Sequence, residues 1–263
     1  MMIKLVATDI DGTLVVDGSA NLNPDYFPVF QRLMEKGILV VVASGRGESS
    51  IENIMKPIAN QITMIAEGGS YVCAKGQTLE IHKIPMEIVR ELVMDIRSMT
   101  ECEIMVNGPK CCYVETKDEK FLRWIIEDYH FNVIQVDDLL EVEDDIVKVS
   151  LYHPVDAGKQ AKQGIFQKWE GRLHLAVSGN EWVDCVMPGI NKGTALQKLQ
   201  QQYGISKEET MVFGDNRNDL EMLEQAVYSF AVENAREEVK EKANYITDSN
   251  KNHGVLKVLR QLL

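Results

Sequence analysis

Short unbroken apolar runs alternate with amphipathic stretches at the start of the chain. Ile3-Lys4-Leu5-Val6-Ala7-Thr8, Ile38-Leu39-Val40-Val41-Val42-Ala43 and Ile62-Thr63-Met64-Ile65-Ala66 read as strands. The second is apolar throughout and mostly β-branched, the pattern of a strand buried on both faces in a parallel sheet. Asn23-Pro24-Asp25 is a helix-start signal, with Asn as the cap and Pro at the first helical position, and Gly37 stops the helix after Lys36. A second helix is expected over residues 48–59. Strand, helix, strand, helix, strand is the opening of a doubly wound α/β domain.

Near residue 80 the texture changes. Two strand-like pieces flank a Lys75-Gly76 turn, and a helix over residues 86–99 carries Val89, Leu92, Val93, Ile96 and Met99 on one face. A hairpin around Asn107-Gly108, a helix over 118–129, strands over 132–136 and 146–152, a helix from Asp156 and strands over 173–178 and 182–187 follow. Hairpins mixed with helices indicate an antiparallel α+β insert. From Pro188 the parallel texture returns: a helix over 192–203 ending at Gly204, a strand over 211–213, and two further strands with their helices. The expected organisation is a discontinuous core, residues 1–82 and 188–263, with an inserted domain over 83–187.

Composition narrows the function. The chain has 263 residues, 45% hydrophobic and 26% charged, close to soluble globular averages. Lys plus Arg number 28 and Asp plus Glu 40, a formal charge of −12, so nucleic acid and anionic membrane are poor bulk partners. No apolar stretch reaches the roughly 18 residues of a membrane span. The N-terminus lacks a signal-peptide pattern, and a cytoplasmic protein is expected. The five cysteines form no CxxC pair and include the adjacent Cys111-Cys112, so neither a disulfide framework nor a zinc site is indicated.

Four segments carry candidate chemistry, each at a strand end or helix start. Asp9-Ile10-Asp11-Gly12-Thr13-Leu14 places two acids two positions apart, on the same side of an extended chain. Gly214-Asp215-Asn216-Arg217-Asn218-Asp219 adds two more acids. Acid oxygens without His or Cys suit a hard cation, Mg²⁺ before zinc. Ser44-Gly45-Arg46 offers a hydroxyl, backbone N–H groups and a guanidinium, and Lys192 offers an amine at a helix mouth; both suit an anion. Alone, each segment also reads as a turn, a solvated loop or a surface lysine. Their order and placement together are what point to a site, because ligands of open α/β sheets bind beyond the carboxyl ends of the strands.

These four segments resemble the four motifs of the haloacid dehalogenase (HAD) superfamily, and the insert resembles its type IIB cap; within that group the chain is similar to Cof-type phosphatases. The resemblance implies Asp9 as nucleophile, forming an aspartyl-phosphate, and Asp11 as the general acid and then the base. It implies Mg²⁺ on Asp9, Asp215 and the Asp11 carbonyl, supported by Asp219. Phosphoryl oxygens would lie against Ser44, Gly45, Lys192 and Asn218, with Ile10 and Arg46 also at the phosphate or substrate. The implied function is a Mg²⁺-dependent phosphatase of small phosphorylated metabolites, with a sugar phosphomutase or a non-catalytic phosphate-binding protein as alternatives. Two departures stand out. The third strand, followed in the family by Asn-Gly, here runs into Ala66-Glu67-Gly68-Gly69, and Glu233-Asn234-Ala235 stands for Gly-Asn-Ala. Neither is expected to touch the chemistry. The stretch 178–182 and the hairpin at Asn107-Gly108 are the expected contacts of the leaving group.

Overall fold

The computed structural model describes every residue except Met1, Asp17 and Gly179. Its strands form two sheets. The larger has eight strands, in spatial order Tyr245–Thr247, Tyr228–Val232, Thr210–Gly214, Leu5–Thr8, Leu39–Ala43, Thr63–Ala66, Tyr71–Ala74 and Gln77–Ile81. The first six run parallel, and the last two are added through antiparallel pairings, so an antiparallel edge completes the expected parallel sheet. Leu5–Thr8 is the central strand, paired with Thr210–Gly214 on one side and Leu39–Ala43 on the other. Chain order reverses across it, which makes its carboxyl end the crevice where such sheets bind ligands. Leu5, Val6 and Ala7 have no exposed surface, as expected of a strand covered on both faces.

The smaller sheet takes strands from the middle of the chain, in order His174–Ser178, Trp182–Val186, Lys148–Tyr152, Glu103–Asn107, Cys112–Val114 and Val133–Gln135. Its pairings are antiparallel except the last, where helix Glu119–Glu127 crosses over and brings Val133–Gln135 in parallel. Each sheet has its own apolar core: one around Leu5, Val41, Ile65 and Phe213, the other around Leu92, Val149, Leu151 and Trp169. Among the described residues no helix is long and apolar enough to cross a membrane.

Two helices differ from their sequence signals for local reasons. The first spans Tyr26–Glu35, because Asn23 closes a turn onto the Asp25 N–H (3.0 Å) and does not cap the helix. The second spans Glu48–Ile54 and stops short of residue 59, since Pro57 lacks an N–H and disfavours helical backbone at Lys56.

Candidate active site

Asp9 follows the central strand directly, and its side chain lies at the bottom of the crevice, 4% exposed. The chain then turns sharply: the Ile10 carbonyl accepts the N–H groups of Thr13, Leu14 and Val15 (2.8–3.2 Å). Ile10 itself is fully buried in the core, so of this residue only the backbone can serve a ligand. Gly12 has φ +80°, and a Cβ there would collide with the Asp215 carboxylate. The glycine therefore lets two loops, 202 residues apart in sequence, touch; Thr13 Oγ1 donates to Asp215 Oδ1 at 2.7 Å.

Carboxylate oxygens of Asp9, Asp215 and Asp219 lie within 4.8 Å of one another. Lys192 Nζ donates to Asp9 Oδ1 at 2.6 Å and to Asp219 Oδ1 at 2.7 Å, with 1% of its surface exposed. The lysine is delivered by the first residue of helix Lys192–Tyr203, whose start is fixed by a reciprocal cap between Asn191 and Thr194. The other oxygen of Asp219 receives the N–H groups of Asp215 and Asn216 (3.0 and 3.1 Å), which shapes the 215–219 loop. Burial above all pushes the Asp9 carboxyl well above its ordinary range; Lys192 works the other way, and the charges of Asp219, Asp215 and Asp11 add to the rise. For Lys192, burial opposes the charge, but Asp219 and Asp9 outweigh it and raise its pKa. One ammonium against three close carboxylates leaves negative charge in a buried place, and every acidic donor is a carboxylate oxygen. That donor set fits a hard divalent cation such as Mg²⁺.

Asp11 points away from this triad. Arg46 Nε and a terminal nitrogen grip its two oxygens at 2.7 and 2.6 Å. The remaining donors of Arg46 go to Ser50 Oγ and the Tyr129 carbonyl through one terminal nitrogen and to the Ser19 carbonyl through the other. All five N–H donors are thus engaged, and the side chain is 2% exposed. Arg46 lines the cavity with its donors already engaged, two of them on Asp11. Ser44, Gly45 and Asn218 line the same cavity above Asp9 and Asp11.

The roof of that cavity comes from the smaller sheet: Met105, Lys148, Ser150, Ser178, Glu181, Trp182 and Asp184, with Tyr129 and Phe131 beside them. Of the stretch expected at the leaving group, Ser178, Glu181 and Trp182 are there, and Gly179 lies outside the described residues. The Asn107-Gly108 hairpin is not. Asn107 is 2% exposed, and its amide nitrogen bonds inside its own sheet to Met105 O, Lys148 O and Ser150 Oγ.

Of the two family departures, the one at residue 67 acquires a partner in space. Glu67 is buried and forms an ion pair with Lys148 of the roof, 2.7 Å between Oε2 and Nζ. Asn234 donates to the Gly12 carbonyl at 2.8 Å, bracing the turn after Asp9. Lys148, Ser150, Asp184 and Tyr129 escaped the sequence reading. For Lys148 a signal existed: a lysine within the apolar run Ile146-Val147-Lys148-Val149 occupies a strand position where an unpaired charge is costly.

Comparison with known proteins shows the family. The family pattern described as haloacid dehalogenase-like hydrolase matches residues 6–259. The chain is 31% identical over 263 residues to an Escherichia coli 5-amino-6-(5-phospho-D-ribitylamino)uracil phosphatase, covering 100% of this chain and 97% of that protein. It is 26% identical to an HMP-PP phosphatase of Serratia proteamaculans, over 91% of this chain and 87% of that one. Among solved structures, a protein from Eubacterium rectale superposes with a TM-score of 0.89 at 36% identity, over 100% of both chains. The chain belongs to the haloacid dehalogenase-like hydrolases, in their Cof-type branch, and is an enzyme of the phosphatase kind.

Proposed function

We propose that the protein is a Mg²⁺-dependent phosphatase that hydrolyses small phosphorylated metabolites through an aspartyl-phosphate on Asp9. What carries the reading is the buried cluster of Asp9, Asp215 and Asp219 with Lys192 on two of them, under a cavity roofed by a second domain. Residues 1–82 and 188–263 form the catalytic core in this reading, and 83–187 the cap.

Asp9, Asp215 and the Asp11 carbonyl would hold Mg²⁺, with Asp219 in support. Bound there, the ion supplies positive charge that lets carboxylates and a phosphate dianion share one pocket. An oxygen of Asp9 attacks phosphorus, and the ester P–O bond breaks as the new one forms. Asp11 gives its proton to the departing alkoxide, then takes one from the water that cleaves the aspartyl-phosphate. Arg46 keeps Asp11 in place for both transfers. Lys192, Ser44, the Gly45 N–H and Asn218 cradle phosphoryl oxygens, which is the positioning and charge stabilisation such transfers need.

The roof supports a class of leaving group. Trp182, Tyr129, Phe131 and Met105 offer flat apolar surface, while Ser150, Ser178, Glu181 and Asp184 offer hydroxyls and carboxylates. That lining suits an alcohol with hydroxyl or amino donors and a planar ring, and disfavours a second anion. A phospho-ribitylamino uracil, the compound in the name of the Escherichia coli relative, has this chemistry.

The test is a panel of phosphate monoesters, ring-bearing polyol phosphates included, assayed with Mg²⁺ and with chelator, for the wild type and Asp9→Asn. Phosphate release that needs both Mg²⁺ and Asp9, without any bisphosphate cofactor, is the expected result. Turnover by Asp9→Asn, or in chelator, refutes the mechanism. A requirement for a bisphosphate indicates a mutase.

A further inference from the structure

Three consecutive carbonyls in the Ser44–Gly47 loop are held from outside it. Ser44 O accepts the Gly68 N–H at 3.0 Å, and Arg46 O accepts the Glu67 N–H at 2.9 Å. The one between them, Gly45 O, accepts Lys148 Nζ at 2.7 Å. The outer two partners belong to the loop after strand Thr63–Ala66, and the middle one to the roof sheet.

In a trans peptide the C=O and N–H of one unit point opposite ways. Fixing Gly45 O therefore fixes the Arg46 N–H, and that N–H donates to Ser44 Oγ at 3.1 Å. A direct path runs from Lys148 through one peptide unit to the Ser44 hydroxyl. Fixing Ser44 O likewise aims the Gly45 N–H away from Gly68.

Lys148 has little freedom to do anything else. It is 3% exposed, with Glu67 at 2.7 Å and Asp184 Oδ1 at 3.6 Å as its charged neighbours. Glu67 reaches it because residue 47 is glycine: a Cβ there would stand 2.6 Å from Glu67 Oε1. The ammonium is thus matched by a carboxylate from each sheet and aimed at a backbone carbonyl.

We propose that Lys148 is a positioning residue through which closure of the roof sets the phosphate-holding loop, with Glu67 as its anchor in the core. The proposal deepens the phosphatase reading and rests on it. Lys148 then acts on the phosphoryl end of every ester and is indifferent to the leaving group. With the roof lifted, Gly45 O loses its donor and the Ser44 hydroxyl its fixed partner, so the site becomes competent only when closed.

The experiment compares Glu67→Gln with the double variant Glu67→Gln/Lys148→Met, which keeps side-chain length, removes both charges of the buried Glu67–Lys148 pair and leaves Asp184 its hydrogen bond from Ser150. Thermal melting checks that both are folded. Readouts are kcat/KM for p-nitrophenyl phosphate and for glucose 6-phosphate, and calorimetric affinity for inorganic phosphate with Mg²⁺ present. Relative to Glu67→Gln, the double variant should lose about tenfold on both esters, and affinity for inorganic phosphate should fall by a similar factor. A loss confined to glucose 6-phosphate, with phosphate affinity unchanged, overturns the proposal, because Lys148 would then read the leaving group. Equal values for the two variants overturn it as well. If the wild type hydrolyses no ester, the phosphatase reading falls by itself, while phosphate affinity still decides the role of Lys148.

Discussion

Gly12 sits where only a residue without a side chain brings Asp9 and Asp215 together. Its φ of +80° and the carboxylate that a Cβ would strike make Gly12→Ala doubly unfavourable. We expect a cost of about 1–3 kcal/mol in stability and, because Asp9 and the Asp215 loop move apart, about a hundredfold loss in kcat/KM. Melting temperature and steady-state kinetics check the two parts. Arg46 poses a different residue-scale question. Its fork holds both oxygens of Asp11 while Ser50 and two backbone carbonyls hold the fork. A lysine keeps the charge and loses this geometry. Arg46→Lys should therefore lower kcat strongly and leave the affinity for inorganic phosphate nearly unchanged. An equal fall in both would mean that the guanidinium binds phosphate after all.

At the scale of elements, the candidate catalytic groups sit on the ends of strands and the first turn of a helix. Lys192 is an example. Asn191 and Thr194 cap each other's backbone (2.8 and 3.1 Å), so the helix starts at the residue that carries the amine. Asn191→Ala removes the side-chain half of that cap, at about 1 kcal/mol. The expected signature is a modest drop in melting temperature with a larger fall in kcat, since fraying the first turn displaces Nζ from Asp9 and Asp219. A variant with the lower melting temperature but wild-type kcat would show that the tertiary contacts alone hold Lys192. The short helix Glu48–Ile54 has a comparable duty: it carries Ser50, whose hydroxyl donates to the Tyr129 carbonyl at 2.7 Å and ties the roof to the Arg46 side of the site.

Charge decides the behaviour of the whole molecule. A net charge of −12 opposes the approach of a phosphate ester, and the buried acids add to it at the site. Lys192, Arg46 and Lys148 are the buried cations that offset this locally. Divalent metal should stabilise the fold by mass action, about 2.7 kcal/mol at a hundredfold excess over Kd. A rise of several degrees in melting temperature with Mg²⁺, reversed by chelator, is the expected observation. Asp9→Asn should behave oppositely. Burial raises the Asp9 pKa, so the carboxyl favours the folded state most below its ordinary value of 3.8 and less as pH climbs through the folded value. Without metal, the neutral amide should melt above wild type at neutral pH and lose that advantage in acid. It should also gain less from Mg²⁺. Differential scanning calorimetry at two pH values, with and without the ion, reads all three.

The linear chain by itself determined the elements and the family. Unbroken β-branched runs can satisfy their side chains only inside a covered sheet, and four short motifs at the ends of those runs mark the acids and the lysine by residue type alone. It also placed two unusual acids, but a charge has no assignable role until its partner is known. Tertiary structure alone decided that Glu67 meets Lys148, that Arg46 grips Asp11 with two of its donors, and that Asn107 turns inward to its own sheet. Arg46 and Asp11 are 35 positions apart and Lys192 and Asp9 183, and pairing at such distances leaves no periodic trace in a sequence. Periodicity reports which face of an element is buried; only packing chooses what lies against it.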